Sequence, residues 1–240
     1  MADTSKAEFV HDVFSTIAKQ YDVMNSVLSF NQHKFWRKFA MKKMRIKPGE
    51  RCLDVATGTG DWAISMANAV GPSGEVVGID FCQEMLDIAI PKTQQSGLSN
   101  VTKMMLGNAM ALPFSSDEFN YATIGFALRN VPDLDQVLRE MYRVVKPGGL
   151  VVSLELSKPT NRLFRSVYYT YFNHVLPLLG RIVVGNDQPY RWLPESLKPF
   201  PDRFALAKRF AEAGLERVEH YALMGGICAL HIGYKPERSA

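Results

Sequence analysis

One short stretch, residues 53–61, most constrains what this chain can fold into. Its sequence, Leu-Asp-Val-Ala-Thr-Gly-Thr-Gly-Asp, is an apolar run that breaks at two glycines before a helical pattern begins at Trp62. The pattern predicts a buried strand that enters a helix through a glycine turn, which leaves backbone N–H groups facing a ligand. A second apolar run ends in Asp80, about twenty residues on, where βαβ nucleotide sites have a ribose-binding carboxylate. The stretch therefore predicts a nucleotide or nucleoside pocket.

The rest of the chain alternates strands with helices. Apolar runs predict seven strands, at residues 51–55, 75–80, 101–106, 119–126, 150–156, 215–222 and 227–234. Helical spacing predicts helices at residues 61–70, 83–95, 134–144 and 202–213. This alternation predicts an α/β, Rossmann-like fold with a mostly parallel sheet. The link at 224–226 is too short for a crossover, so the last strand should be antiparallel to its neighbour.

Two helical additions flank this alternation. Residues 6–28 have helical spacing, with a helix end or break predicted at 22–25, and a second helix is predicted over 33–44. Residues 157–200 are an aromatic, apolar insertion, predicted to be a helical lid. The length suits one α/β domain, so we expect a single domain over 1–240 with a helical N-terminal cap at 1–47.

Composition narrows the classes of protein. The net charge of +4 is too small to indicate nucleic-acid binding by itself, and no apolar run approaches the ~18–20 residues that span a bilayer. The three cysteines, Cys52, Cys82 and Cys228, form no CxxC pair, which argues against zinc and suits a reducing compartment. The first ten residues lack the pattern of a signal or transit peptide. We expect a cytoplasmic protein without a metal.

The glycine turn alone leaves two cofactors open. Residues 58–63 match G-x-G-x-x-[GA], which suits either a dinucleotide oxidoreductase or an S-adenosylmethionine site. Asp54 lies in the strand before the glycines, where its carboxylate can orient the loop or receive the cofactor's ammonium group. Asn108 and Ala109 follow the third strand, where an adenine would lie. These residues and the antiparallel last strand favour S-adenosylmethionine, since a dehydrogenase sheet stays parallel.

Several segments together resemble the quinone-biosynthesis C-methyltransferases, which methylate demethylmenaquinol or a benzoquinol precursor of ubiquinol. The segments lie at residues 21–25, 36–37, 54–61, 80–86, 107–114, 126–130 and 146–149. The most specific residues are Asp61 after the glycines and the Leu-Arg-Asn at 128–130. Residues 25–30 are more similar to menaquinone-type members. The resemblance implies methylation of demethylmenaquinol, the last step of menaquinone biosynthesis, with a polyprenyl methoxy-benzoquinol as the alternative acceptor.

The resemblance and the glycine loop together assign the cofactor contacts. These contacts are Asp54, Gly58, Thr59, Gly60, Asp80, Asn108 and Ala109. Two positions depart from the family pattern. Ala56 stands where members often have glycine, and Gly125 stands where some have serine, so a hydroxyl contact at 125 is unavailable.

Three residues are the expected catalytic groups. A ring carbon beside a hydroxyl becomes nucleophilic when the hydroxyl loses its proton, so a base or an anion-stabilising group is needed. Asp61, directly or through water, is the preferred proton acceptor, although an acid at a helix start is also an ordinary structural feature. Arg129 can stabilise the phenolate but is no base, since its pKa exceeds ~12. Asn130 would orient the hydroxyl, and the five histidines are interpreted as structural or surface residues.

The predicted partners are a prenylated quinol, a peripheral membrane contact at the inner face of the cell membrane and, as an option, a second copy in a homodimer. Residues 33–47 are basic without an acid, which indicates either a solvated helix face or attraction to anionic lipid. A nucleic-acid methyltransferase would suit this helix, but residues 130–133 are not Asn-Pro-Pro-aromatic and no cysteine follows a proline. We therefore expect no nucleic acid, and a non-catalytic cofactor-binding protein is the remaining alternative.

Overall fold

The computed structural model describes residues 2–159, 170 and 188–237. Its strands are β1 (Arg51–Val55), β2 (Glu75–Asp80), β3 (Thr102–Leu106), β4 (Phe119–Gly125), β5 (Val145–Leu156), β6 (Glu216–Leu223) and β7 (Cys228–Tyr234). They form one sheet in the order β3-β2-β1-β4-β5-β7-β6. β7 is antiparallel to both of its neighbours, and the other paired strands are parallel. The predicted seven-stranded, Rossmann-like fold is confirmed.

The helices carry the chain between these strands. They are α1 (Ala2–Ile17), α2 (Tyr21–Leu28), α3 (Gln32–Met44), α4 (Asp61–Val70), α5 (Gln83–Gln95), α6 (Leu134–Val144), α7 (Gln188–Leu197) and α8 (Arg203–Glu212). Within the described ranges, no helix is long and apolar enough to cross a membrane. Most of the predicted lid, at 160–169 and 171–187, lies outside the described residues, and α7 is the helical part that lies within them.

The helix break predicted in the N-terminal cap is wrong, and β5 begins at Val145 instead of residue 150. The break expected at 22–25 lies inside α2, and the chain turns instead at a 3-10 segment, Ala18–Gln20. Asp22 lies in the first turn of α2, where the helix dipole favours an acid, so it marks a helix start and not an end. Met24 is buried in the core, which anchors the helix through the predicted break.

The sheet is buried on both faces, as parallel sheets are. On one face, Leu53 and Val55 pack against α6, and on the other, Cys52 packs among residues of α3 and α4. Parallel strands that are covered by helices leave their carboxyl ends as the edge at which a ligand can bind. At this edge lie the glycine turn after β1 and the ends of β2 and β4, beneath α1, α2, α3 and α7.

Candidate active site

The glycine turn folds back onto the acid that ends β2. Ala56, Gly58 and Gly60 all have positive φ, at 53°, 56° and 81°, which turns the chain sharply between β1 and α4. The Gly58 N–H donates to Asp80 Oδ2 at 2.7 Å, and the Cys82 N–H donates to Asp80 Oδ1 at 3.0 Å. Burial raises the pKa of Asp80, against these backbone donors. The Phe81 N–H is a third backbone donor, and the carboxylate still keeps acceptor capacity for a ligand.

Asp54 fixes the turn from below. Its carboxylate is buried and accepts from the hydroxyls of Thr57 at 2.8 Å and Thr123 at 2.7 Å. Burial raises the pKa of Asp54 to about 6, although both hydroxyls favour the charged form. The side chain therefore holds the loop through Thr57 while it also faces a cavity.

Two adjoining cavities open above the turn. The smaller, of about 260 Å³, is lined by Asp80, Asn108, Ala109 and Asn130. The larger, of about 390 Å³, is lined by five of the expected site residues: Asp54, Gly58, Thr59, Asp61 and Arg129. Both cavities share walls at Tyr21, Ala56, Gly58 and Phe126. Gly60 lines neither, and its positive φ serves the start of α4.

A network of charges holds Asp61 at the wall of the larger cavity. Asp61 Oδ2 accepts from Arg37 Nη1 at 2.9 Å, and Oδ1 pairs with the ammonium of Lys92. Lys92 also contacts Asp22 at 2.6 Å, which in turn accepts from the Thr59 hydroxyl at 2.6 Å. Burial would raise the pKa of Asp61, but the two cations outweigh it and lower the pKa. A carboxylate with a lowered pKa is a weak proton acceptor.

Arg129 is held by a partner that the sequence pattern did not indicate. Its Nη1 lies 2.6 Å from Glu155 Oε1, and both side chains are buried, at 6% and 1% exposure. The Nη1 group also donates to the Phe126 carbonyl. Arg129 Nε has no hydrogen-bond partner among the described residues. The guanidinium is therefore a fixed, buried cation at the larger cavity.

Asn130 links the end of β4 to α7. Its Oδ1 accepts from Trp192 Nε1 at 3.1 Å, and its buried Nδ2 has no partner in the described part of the chain. Trp192 packs edge-on against Phe9 of α1, with ring centroids 5.0 Å apart. The side chain is therefore held beneath a cover made from α1 and α7, with its Nδ2 group shielded from the cavity.

Sequence patterns missed several residues of the larger cavity. Tyr21, His33, Arg37 and Trp192 line it alongside the expected residues. The histidines were expected to be structural or surface residues. His33 is only 6% exposed, so it is not a surface residue. The signal for Arg37 was available, since it lies in one of the segments that carry the resemblance.

The chain matches the ubiE/COQ5 methyltransferase family over residues 1–235. It belongs to that family. The demethylmenaquinone methyltransferase of Bacillus cytotoxicus is 52% identical over 233 residues, covering 97% of this chain and 98% of that protein. The protein of the same name from Geobacillus kaustophilus is 51% identical over 231 residues, covering 96% and 98%. The predicted resemblance is confirmed.

A solved structure supports the fold of this ubiE/COQ5 chain. A SAM-dependent methyltransferase from Aquifex aeolicus has a TM-score of 0.61 at 20% identity, over 82% of this chain and 88% of that one. At that identity the likeness concerns the fold alone.

The structure shows the local geometry at the two positions, Ala56 and Gly125, that depart from the pattern implied by the resemblance. Ala56 adopts a left-handed φ of 53°, a conformation that favours the glycine that other members often have. At Gly125, a Cβ would come within 2.9 Å of the Trp62 ring. In this chain, Trp62 therefore occupies the space that a serine side chain at 125 would need.

Proposed function

We propose that this chain transfers the methyl group of S-adenosylmethionine to the ring of demethylmenaquinol, which gives menaquinol. The observation that carries the proposal is the identity of 52% with a demethylmenaquinone methyltransferase over nearly the whole chain. The two adjoining cavities support it, because such a reaction needs neighbouring sites for a nucleoside cofactor and an apolar acceptor.

The smaller cavity fits the adenosine part of the cofactor. Asp80 is buried there with free lone pairs, which suit ribose hydroxyls. Asn108 and Ala109 offer an amide and backbone groups to adenine. The turn at Gly58, without a side chain, and the carboxylate of Asp54 lie where the amino-acid part would extend toward the larger cavity. When bound, S-adenosylmethionine supplies an electrophilic methyl group on a sulfonium.

The larger cavity fits the acceptor. Much of its wall is apolar, including Val13, Ile17, Met24, Leu28, Leu154 and Ile227. The Arg129 guanidinium would stabilise negative charge on the quinol oxygen, since a fixed, buried cation acts strongly on developing charge. Asn130 lines the smaller cavity, and the role expected for it, orienting the quinol hydroxyl, would need its shielded Nδ2 to turn toward that cavity.

For Asp61 we propose a positioning role in place of the expected proton transfer. Its carboxylate joins Arg37 of α3 and Lys92 of α5 to the start of α4. The Arg37 pair ties the N-terminal cap to the glycine turn that would carry the cofactor, and the Lys92 pair ties α5 to the same turn. The lowered pKa of Asp61 also disfavours proton uptake.

Radiolabelled S-adenosylmethionine tests the reaction directly. The enzyme is incubated with a reduced prenyl naphthoquinol and, separately, with a reduced prenyl methoxy-benzoquinol, and the products are separated. We expect label in the naphthoquinol product at a rate at least about tenfold above the benzoquinol, because the apolar cavity must discriminate a fused ring. Label only in the benzoquinol would favour the alternative acceptor, and label in neither would refute the methyl transfer.

We further propose that the hairpin of α2 and α3 binds the inner face of an anionic membrane. Val23, Val27 and Phe30 are exposed apolar residues at helical spacing, and Phe35 is 62% exposed at the start of α3. The exposed cations of α3 lie within an arc of roughly 80° at 100° per residue; they are Lys34, Lys38 and Lys42, and Arg45 is exposed just after the helix ends. Phe30 also lines the larger cavity, so a quinol could enter from the bilayer.

Flotation with anionic vesicles tests this surface. Lys34→Gln/Lys38→Gln should weaken binding roughly thirtyfold at low salt, at about 1 kcal/mol per cation, and high salt should weaken the wild type. Phe30→Ser/Phe35→Ser should also weaken it, but without changing the salt dependence. Lys103→Gln/Lys208→Gln, which removes two exposed lysines elsewhere, is the control with matched charge. Equal loss in the control, or no wild-type flotation at low salt, would contradict the proposed surface.

A homodimer and the absence of nucleic-acid binding stay predictions.

A further inference from the structure

His33 lies in the wall of the larger cavity with an unused ring nitrogen. It is near the start of α3 and only 6% exposed, and it shares the cavity with Arg37, Asp61 and Arg129. Its Nδ1 contacts Ser29 Oγ at 2.7 Å. Within the described ranges, Nε2 has no hydrogen-bond partner and keeps some accessible surface, and His33 lines the cavity.

The contacts of Ser29 fix the tautomer of this imidazole. The Ser29 hydroxyl lies 2.6 Å from the backbone carbonyl oxygen of Asn25. Because this oxygen can only accept, the single hydroxyl hydrogen is donated to it. Ser29 Oγ must then accept from His33 Nδ1, as it also accepts from the His33 N–H at 3.3 Å. Because the hydrogen of the neutral ring is on Nδ1, the lone pair is on Nε2.

The charges around the ring keep it neutral. Burial lowers the pKa of His33, and Arg37 and Lys34 on its own helix lower it further. Asp61 of α4 and Asp22 of α2 oppose this shift but do not reverse it. At neutral pH the imidazole is therefore an uncharged base, whereas the carboxylate of Asp61 is engaged with two cations.

We propose that His33 is the catalytic proton acceptor, taking the hydroxyl proton of the quinol on Nε2. This inference rests on the proposed function. The O–H bond breaks, its electron pair stays on the oxygen, and the proton forms an N–H bond at Nε2. The resulting imidazolium stays held by Ser29 through Nδ1–H. When the methylated ring carbon loses its hydrogen to water as a proton, the oxygen takes its proton back from Nε2, so one proton is released overall.

His33→Asn is the decisive variant, because an asparagine amide can still donate to Ser29 but cannot act as a base. Its single-turnover rate with labelled cofactor should fall by about 10²–10⁴-fold, the usual contribution of a positioned base. At saturating cofactor, where the titration of Asp54 does not limit binding, the acid limb of the wild-type pH–rate profile should disappear. Calorimetric affinity for S-adenosylhomocysteine should stay within about twofold of the wild type, because a general base acts on the chemical step and not on cofactor binding.

Asp61→Asn is the matched comparison between the two candidate bases. It should keep an acid limb, displaced to lower pH, because the Asp61 carboxylate is one of the groups that raise the His33 pKa. An acid limb that vanishes in Asp61→Asn and persists in His33→Asn would overturn the proposal. If the wild type labels neither quinol, the proposed function itself fails; if the wild type is active and His33→Asn matches it, only the role of His33 fails.

Nitrogen-15 NMR of the wild-type enzyme gives a readout without activity. Two-bond correlations should identify His33 as the Nδ1–H tautomer, titrating below the usual pKa of ~6.5. Measured on the complex with S-adenosylmethionine, that pKa should coincide with the acid limb of kcat/KM for the quinol at saturating cofactor, because both report the enzyme before the quinol binds. The Nε2–H tautomer, or a pKa that differs from the limb by more than about one pH unit, would overturn the proposal even if His33→Asn does not fold.

Discussion

Glu155→Leu is expected to lower the free energy of unfolding by about 3–5 kcal/mol, because it leaves the Arg129 guanidinium buried without its charge partner. Glu155 Oε1 lies 2.6 Å from Arg129 Nη1, and Glu155 Oε2 accepts from the Arg129 backbone N–H at 3.3 Å. With the leucine present, the guanidinium must either stay unpaired or move toward solvent, away from the larger cavity. Urea denaturation at neutral pH measures the loss of stability.

The double variant Arg129→Met/Glu155→Leu separates stability from chemistry. Replacing both members of a buried ion pair by apolar residues is often neutral or stabilising, so its stability should return to near that of the wild type. Methyl transfer by the double variant should be about 10²–10³-fold slower than by the wild type, because no cation remains to stabilise the quinol oxygen. A stable double variant with full activity would contradict the role proposed for Arg129. An unchanged stability in Glu155→Leu would show that the pair contributes nothing.

This pair also illustrates what the sequence could and could not predict. The position of Arg129 followed from local pattern, because it comes directly after a predicted strand whose carboxyl end faces a site. Glu155 was inside another predicted strand, 26 residues along the chain from Arg129. The two meet only because β4 and β5 are neighbours in the sheet, and strand order is not a local property.

The network around Asp61 has the same origin. Arg37 and Lys92 lie 24 and 31 residues from Asp61 in the sequence, on helices whose packing no periodicity specifies. Without them, Asp61 was expected to be the preferred proton acceptor. Once both cations are in place, its pKa is lowered and a structural role fits better.

His33 is a case in which a local signal existed. Ser29 and His33 are four residues apart, a spacing that can bring two side chains together. The signal was weak, because the helical spacing ended at residue 28 and the next helix was predicted from 33, so Ser29 and His33 were not on one predicted helix. The structure continues α2 to Leu28 and turns directly into α3, which brings the hydroxyl to the imidazole.

The second large effect concerns pH and Asp54. Burial raises the pKa of its carboxyl to about 6 in the folded chain, against a reference value of 3.8. Between these values the folded state binds more protons than the unfolded state, so the stability of the free enzyme falls as pH rises through this window. The contribution of Asp54 to stability falls by about 3 kcal/mol over the whole window, and by about 2 kcal/mol between pH 4.5 and 7.5, at 1.36 kcal/mol per pKa unit. Asp54→Asn should lack this loss of stability. Urea denaturation at pH 4.5 and 7.5 should therefore show a smaller fall in the free energy of unfolding for Asp54→Asn than for the wild type.

Cofactor affinity should respond to pH in the opposite direction. If the Asp54 carboxylate receives the cofactor's ammonium group, binding lowers the pKa of Asp54, and affinity must rise as pH rises through about 6, roughly tenfold if binding lowers that pKa by one. Calorimetry with S-adenosylhomocysteine at pH 5 and 7 measures this rise. Asp80, whose pKa is also raised by burial, can add to it, so the comparison is with Asp54→Asn, which should show a smaller dependence. An equal pH dependence of affinity in the wild type and in Asp54→Asn would show that Asp54 does not contact the ammonium group. Its role would then be only to hold Thr57. A smaller pH dependence of affinity in Asp54→Asn would mean that the same carboxylate lowers the stability of the free enzyme and strengthens cofactor binding.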